Sequence, residues 1–247
     1  MLASVLAEGE TVITNAAMEP EIVDLQKFLN RMGAKISGAG ENVIRIQGVK
    51  ELKNVSYNIM PDRIEVGTFL CMTAITGGNI IINSVNNEDI KSITSKLEEA
   101  GAKINQEKLK IEIIAPKKLK AVDIKTMPYP GFPTDMQSVF GAMLTVAKGP
   151  SVIVENIFEN RFKYFNELKK MGAKVSVEGK IAVVKGCKKL HSAEVEASDL
   201  RGGAALCTAA LIAKGQSTIG NISHILRGYE KFDKKLQKLN AQIILEQ

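Results

Sequence analysis

Apolar positions follow two alternating rhythms along this chain, and the alternation itself recurs. The first rhythm is an amphipathic helical stripe that stops on glycine or asparagine: LNRMGAKI at 29–36, LEEAGAKI at 97–104, LKKMGAKV at 168–175 and LQKLNAQI at 236–243. From Gly33 to Gly101, Gly172 and Asn240 the spacings are 68, 71 and 68 residues. Glycine or asparagine at that point suits a left-handed helix C-cap that hands the chain to a strand. The second rhythm is a glycine-led β-branched run: GETVITN at 9–15, GNIIIN at 78–83, GPSVIVEN at 149–156 and GQSTIGN at 215–221. These read as strands. Ahead of the last three lie segments that are apolar all round, opening near Asp62, Asp135 and Asp199, and these predict buried helices. Further strands are expected at 42–47, 109–114 and 180–184.

The pattern predicts an α/β (α+β) fold of βαβαββ-type repeats gathered around a shared core. Three full repeats occupy 58–247 and a partial repeat 1–57, with the boundary near Lys53 to Met60. Only Met1 to Glu8 precede the first repeat's glycine, so the chain is expected to open inside a helix and to represent part of a longer protein. The third repeat carries an extra feature: three of the seven prolines, Pro128, Pro130 and Pro133, stand just before Thr134 and Asp135. Proline fixes its own φ and pushes its predecessor out of the helical region, which predicts a stiff, extended lead-in to the helix that follows. Thr134 and Asp135 are both suitable N-caps; Asp135 is either a cap or a positioned base.

A hydrophobic content of 45% over 247 residues is ample for a core. No apolar run approaches a membrane span, and no basic segment plus apolar core follows Met1, so a cytoplasmic protein without membrane association is expected. The net charge of +6 comes from lysines dispersed among acids, a solvated surface rather than a nucleic-acid stripe. Cys71, Cys187 and Cys207 are odd in number and far apart, and His191 and His224 are too few for a metal site. No nucleophile elbow, kinase set or dinucleotide fingerprint is present.

Chemistry concentrates at the helix starts. Asp62, Asp135 and Asp199 align, 15, 14 and 16 residues before Gly77, Gly149 and Gly215. Capping there is worth roughly 1 kcal/mol and leaves a carboxylate's second oxygen available. Arginine is sparse, six of 33 basic residues, yet Arg63 and Arg201 directly follow Asp62 and Asp199. Arg161 and Arg227 fall at the predicted starts of amphipathic helices. A cation in a first helical turn opposes the macrodipole by about 0.3–1 kcal/mol. Salt bridges to Asp62 or Asp199 account for Arg63 and Arg201. For Arg161 and Arg227 the better account is an anion shared between the guanidinium and helix N–H groups. Glu19-Pro20-Glu21 opens the first amphipathic helix, where proline and acids are expected.

Six stretches together resemble the UDP-N-acetylglucosamine 1-carboxyvinyltransferase family of enolpyruvyl transferases: EPEIVD at 19–24, PDRIEVGT at 61–68, FPTDMQ at 132–137, FENRF at 158–162, SDLR at 198–201 and RGYE at 227–230. The sister family that makes the shikimate-pathway product shares the repeats but is not expected to show the PTDMQ or ENRF signatures. The resemblance implies six repeats in two inside-out α/β barrels with the active site in the cleft between them, and this chain corresponds to the C-terminal portion. It implies transfer of the enolpyruvyl group of phosphoenolpyruvate to the 3′-hydroxyl of UDP-N-acetylglucosamine, the first committed step of peptidoglycan precursor synthesis. The family uses no cofactor and no metal, and the full-length enzyme is expected to be a monomer.

By the same resemblance, Asp135 lies near the sugar hydroxyl as a base and the main chain at Ile157 contacts UDP-N-acetylglucosamine. Arg161, Arg201 and Arg227 hold the carboxylate and phosphate of phosphoenolpyruvate, with Asp62, Asp199 and Glu19 as supporting acids. The family's Lys-Asn pair, its loop with a Cys or Asp acid and the arginine beside that loop find no match here, and none of the three cysteines fits the loop. The isolated chain is therefore expected to be inactive and to bind substrate weakly. The alternative class is a non-catalytic repeat domain that binds an anionic metabolite. A nucleic-acid-binding repeat protein ranks behind both.

Overall fold

Each amphipathic helical stripe ends where a residue tolerant of positive φ turns the chain left-handed. In the computed structural model, which describes residues 1–246, Gly33, Gly101, Gly172 and Asn240 have φ of 105, 102, 93 and 67°. The three glycines are followed by strands, as the C-cap pattern requires.

The chain divides into two compact units, Met1–Asp62 with Pro128–Gly131, and Arg63–Met127 with the chain from Phe132 onward. The first holds a 3₁₀ turn (Leu2–Ser4), β1 (Glu10–Thr14), α1 (Pro20–Arg31), β2 (Lys35–Ser37) and β3 (Val43–Gln47). Its antiparallel sheet has the order β1-β3-β2, and Val5, Leu29, Ala34, Ile36, Ile44 and Ile46 form its core.

The second unit contains the three longer repeats. The first of them comprises α2 (Arg63–Thr76), β4 (Asn79–Asn83), α3 (Lys91–Glu99), β5 (Lys103–Glu107) and β6 (Lys110–Ile114), with sheet order β4-β6-β5. The next runs β7 (Ile124–Lys125), α4 (Thr134–Leu144), β8 (Pro150–Val154), α5 (Tyr164–Lys170), β9 (Lys174–Glu178) and β10 (Ile181–Lys185), with order β7-β8-β10-β9. The last has β11 (Glu194–Glu196), α6 (Leu200–Ala210), β12 (Thr218–Gly220), α7 (Ser223–Leu226) and α8 (Phe232–Lys238). Among the described residues its sheet is the parallel pair β11-β12, so the strand expected after Asn240 is not formed.

Helices that are apolar all round must be buried all round. Every residue from Met136 to Leu144 of α4 and from Gly202 to Ala209 of α6 is buried, and α2, α4 and α6 pack against one another. Sheet residues alternate, as in the half-buried pattern of β10, and cover these helices from outside. Helices inside and sheets outside is the arrangement expected. Among the described residues the sheets remain separate, and no strand ladder closes into a barrel.

The proline run departs from expectation. Tyr129–Pro130 is cis, and Gly131 N–H donates to Pro128 O at 2.8 Å, so 128–131 form a tight turn rather than an extended strand. Two prolines flanking an aromatic suit a turn with proline at its third position as well as they suit extension.

Small residues set the helix spacing. A Cβ on Gly67 would stand 2.8 Å from Met136 Sδ, and one on Gly141 would overlap Tyr164 Oη and lie 3.1 Å from Phe165 Cζ. Gly141→Ala is expected to destabilise by about 1–3 kcal/mol through overpacking, measured by urea unfolding. Adding Tyr164→Phe, which removes the overlapping hydroxyl, should recover part of that loss.

Candidate active site

Asp135 is the second residue of α4, behind an N-cap position held by Pro133. Its carboxylate finds its partners outside the helix. It takes two. Oδ1 accepts from Arg161 Nη2 at 2.8 Å and Oδ2 from Arg201 Nη2 at 2.9 Å. The expected pairing of Arg201 with Asp199 does not form. Asp199 is the N-cap of α6, and its Oδ1 accepts from the backbone of Arg201 and Gly202, at 3.0 and 2.9 Å. Of the aligned aspartates, Asp199 makes the capping bonds and Asp135 does not, which leaves Asp135 as the partner for Arg201.

Aromatic rings hold both guanidiniums. Arg161 Cζ lies 4.8 Å from the Phe158 ring centroid and Arg201 Cζ lies 5.9 Å from that of Tyr229. Tyr229 Oη is 3.4 Å from Arg201 Nη1 and 2.9 Å from Thr68 Oγ1 on α2. Side-chain exposure is 17% for Arg161, 15% for Arg201 and 40% for Asp135. The guanidiniums are thus more buried than the carboxylate between them. Burial by itself would raise the Asp135 carboxyl, but Arg201 and then Arg161 outweigh it and hold it below the ordinary aspartate range.

Arg161 stands three residues ahead of α5, outside the helix, and Arg227 caps the C-terminal end of α7. Neither occupies the first helical turn expected of it. The macrodipole penalty argued from sequence therefore does not apply to them, and a cation at Arg227's position is favourable. Arg227 is exposed, with no side-chain hydrogen bond or ion pair among the described residues that joins it to the Asp135 cluster. Arg63 is the buried first residue of α2. Ile157 lies in the loop between β8 and α5, its N–H donating to Glu155 Oε1 at 2.9 Å. Asp62 and Glu19 belong to the first unit, Asp62 as its last residue before α2 and Glu19 as the N-cap residue of α1.

Sequence reasoning passed over Glu155. It is 1% exposed and accepts from Thr126, Thr134, Ile157 and Phe158. A signal existed: Ser151 and Ile153 point inward, so the alternation of β8 puts residue 155 inward too. Cys71 and Cys207 are buried, and burial pushes the Cys207 thiol up to about 12, consistent with packing rather than reactivity. Among the described residues no cluster of three or more metal-ligating side chains occurs, and no helix is long and apolar enough to cross a membrane.

The family model for EPSP synthase (3-phosphoshikimate 1-carboxyvinyltransferase) matches residues 1–236. The chain belongs to that family. Within the EPSP synthase family, a UDP-N-acetylglucosamine 1-carboxyvinyltransferase 1 from Caldanaerobacter subterraneus subsp. tengcongensis is 55% identical over 98% of this chain and 59% of its own length. A UDP-N-acetylglucosamine 1-carboxyvinyltransferase from Trichlorobacter lovleyi is 53% identical, over 98% of this chain and 58% of its own. The chain thus spans under two thirds of the curated relatives it matches. Among solved structures, the enolpyruvyl transferase NikO from Streptomyces tendae superposes with a TM-score of 0.86 at 26% identity, covering 96% of this chain and 57% of that one. EPSP synthase from Acinetobacter baumannii shares the fold with a TM-score of 0.76 at 20% identity, covering 100% of this chain and 60% of that one.

The ion pairs around Asp135 make a prediction about acid stability. The depressed carboxyl contributes stability that is fully present above its unfolded value of about 3.9 and is lost as pH falls through the lower folded value. Asp135→Asn should therefore be less stable than the native chain at neutral pH, with the gap narrowing as pH drops below about 4. Urea unfolding at stepped pH measures this; a gap independent of pH contradicts it.

Proposed function

We propose that this chain carries the anion-binding and base half of an enolpyruvyl transferase that moves the enolpyruvyl group of phosphoenolpyruvate to the 3′-hydroxyl of UDP-N-acetylglucosamine and releases phosphate, committing the sugar to peptidoglycan precursor synthesis in the cytoplasm. The observation that carries the reading is one carboxylate shared by two half-buried arginines, Asp135 between Arg161 and Arg201. The acceptor is chosen from relatives above 50% identity that carry that acceptor in their names.

The chemistry needs a base at the acceptor hydroxyl and cations around a substrate bearing a carboxylate and a phosphate. The hydroxyl oxygen bonds to C2 of phosphoenolpyruvate, its proton passes to the base, and C3 takes a proton to become a methyl group. Phosphate then leaves with the C2–O bond electrons while C3 gives up a proton, restoring the double bond as an enol ether. Asp135 is the base, and Arg161 and Arg201 hold the anionic groups, where fixed cations stabilise the charge of the tetrahedral intermediate. Arg227 adds a third cation. The main chain at Ile157 meets UDP-N-acetylglucosamine, and Asp199 is a supporting acid.

Asp135 bound to two guanidiniums is a poor proton acceptor. A substrate carboxylate or phosphate that takes over those guanidiniums frees Asp135 and returns its basicity, so the base becomes competent when the anion is in place. Chemical-shift titration of the chain with UDP-N-acetylglucosamine, followed by phosphoenolpyruvate, tests this. Both ligands are expected to perturb residues 135, 157, 161 and 201. Arg161→Ala and Arg201→Ala should each weaken phosphoenolpyruvate binding by about tenfold or more, the worth of a charge-assisted pair. Absence of binding at millimolar ligand, or affinities unchanged in both variants, contradicts the proposal.

A further inference from the structure

The four repeats share a turn six residues beyond the leading glycine of each strand, and the third departs from it. Asn15, Ser84 and Asn221 occupy that position with φ of 53, 59 and 55°, three left-handed turn residues. The corresponding residue after Gly149 is Glu155, which is not among the positive-φ residues and whose N–H donates to Lys180 O at 2.8 Å. A buried carboxylate replaces a small polar turn residue there.

That carboxylate has hydrogen-bond donors in place of a counter-cation. Oε1 accepts from Thr126 Oγ1 at 2.8 Å, Ile157 N at 2.9 Å and Phe158 N at 3.1 Å, and Oε2 accepts from Thr134 Oγ1 at 3.0 Å. Thr126 Oγ1 in turn accepts from Asn156 N at 2.9 Å. A buried charge is tolerated when its lone pairs are filled in this way, and removing the acceptor leaves several donors unmet. The donors come from three places, one of them Thr126 just beyond β7. Thr134 immediately precedes Asp135 at the start of α4, while Ile157 and Phe158 begin the loop that carries Arg161, with the Phe158 ring beneath that guanidinium.

We infer that Glu155 is the positioning residue of this site: it clamps the first turn of α4 to the 156–161 loop and so fixes where Asp135, Arg161 and the Ile157 main chain stand relative to one another. It does not touch the paired groups itself. Its effect passes through the Thr134 hydroxyl on one side and two backbone N–H groups on the other. A capping side chain such as Asn would serve the local turn and would not reach both segments.

The test uses the whole chain and rests on the proposed function only in its ligand arm. Glu155→Gln puts an amide donor among donors. Hydrogen exchange at the Ile157 and Phe158 amides is expected to accelerate by about tenfold or more, with amides of β8 and β10 unchanged. The Asp135 carboxyl, followed by carbon NMR, should titrate closer to the ordinary aspartate value as Arg161 loses its fixed position. General destabilisation would leave that titration where it is. UDP-N-acetylglucosamine should bind the variant more weakly by about tenfold. Should Glu155→Gln fail to fold, Thr134→Val removes one donor and must shift the Asp135 titration in the same direction by a smaller amount. Unchanged exchange and unchanged Asp135 titration in a folded variant overturn the inference. If the native chain binds no UDP-sugar, the proposed function falls, while the exchange and titration results still decide the role of Glu155.

Discussion

Two guanidinium groups converge on one point only when something negative lies between them, and Asp135 supplies it. Arg201 comes from the start of α6, Arg161 from the loop ahead of α5 and Asp135 from the start of α4, so the carboxylate ties together three segments that are far apart in sequence. Each arginine is also backed by a ring, and Tyr229 carries the connection on to Thr68 of α2. Removing the central charge would leave two half-buried cations facing each other. The polar network is therefore a requirement of the packing as well as a source of reactivity.

The fold explains why such a network sits at helix starts. α2, α4 and α6 touch one another through glycine, alanine and other apolar residues, and an interior of that kind has no room or solvation for ions. Their first turns are different. There the backbone N–H groups lack partners within the helix, the macrodipole favours negative charge, and side chains reach solvent. Asp199 satisfies the N–H groups of α6 directly. At α4 the N-cap is proline, and Asp135 uses its oxygens on arginines instead. One residue type at one aligned position thus serves as an ion-pair centre in one repeat and as a cap in the next.

Most of the architecture was legible because it is periodic. The glycine C-caps, the β-branched runs and the all-apolar helices each leave a mark that a single sequence displays, and the repeat multiplies every mark by three or four. What escaped is what periodicity does not encode. The tight turn at 128–131 rests on the Gly131 N–H to Pro128 O hydrogen bond, which composition leaves open. The strand expected after Asn240, which is not formed among the described residues, depends on pairing between segments, since LQKLNAQI looks like its siblings until Asn240. The partner of Arg201 was misassigned because proximity in sequence favoured Asp199, whereas folding brought Asp135 to it across 66 residues. Arg227 was expected to open an amphipathic helix, but it is the C-cap of the short α7, and residues 228–231 intervene before α8 begins at Phe232.

Internal repetition also separates structural residues from specialised ones without recourse to other proteins. Where the copies agree, as at Gly33, Gly101 and Gly172, the residue serves the backbone geometry common to all. Where one copy departs towards a more costly residue, the common geometry cannot be the reason. Glu155 is such a departure: a small turn residue would satisfy the local backbone, as Asn15, Ser84 and Asn221 do, yet the third repeat buries a carboxylate there and surrounds it with four donors. Burying a charge is unfavourable unless geometry compensates it, and three of its four donors, Thr134 and the N–H groups of Ile157 and Phe158, are near neighbours of Asp135 or Arg161 in sequence. The same repeat carries the 128–131 turn and the paired Asp135. Specialisation of one repeat, laid over a scaffold that the other copies specify, is how a symmetric fold comes to hold an asymmetric site.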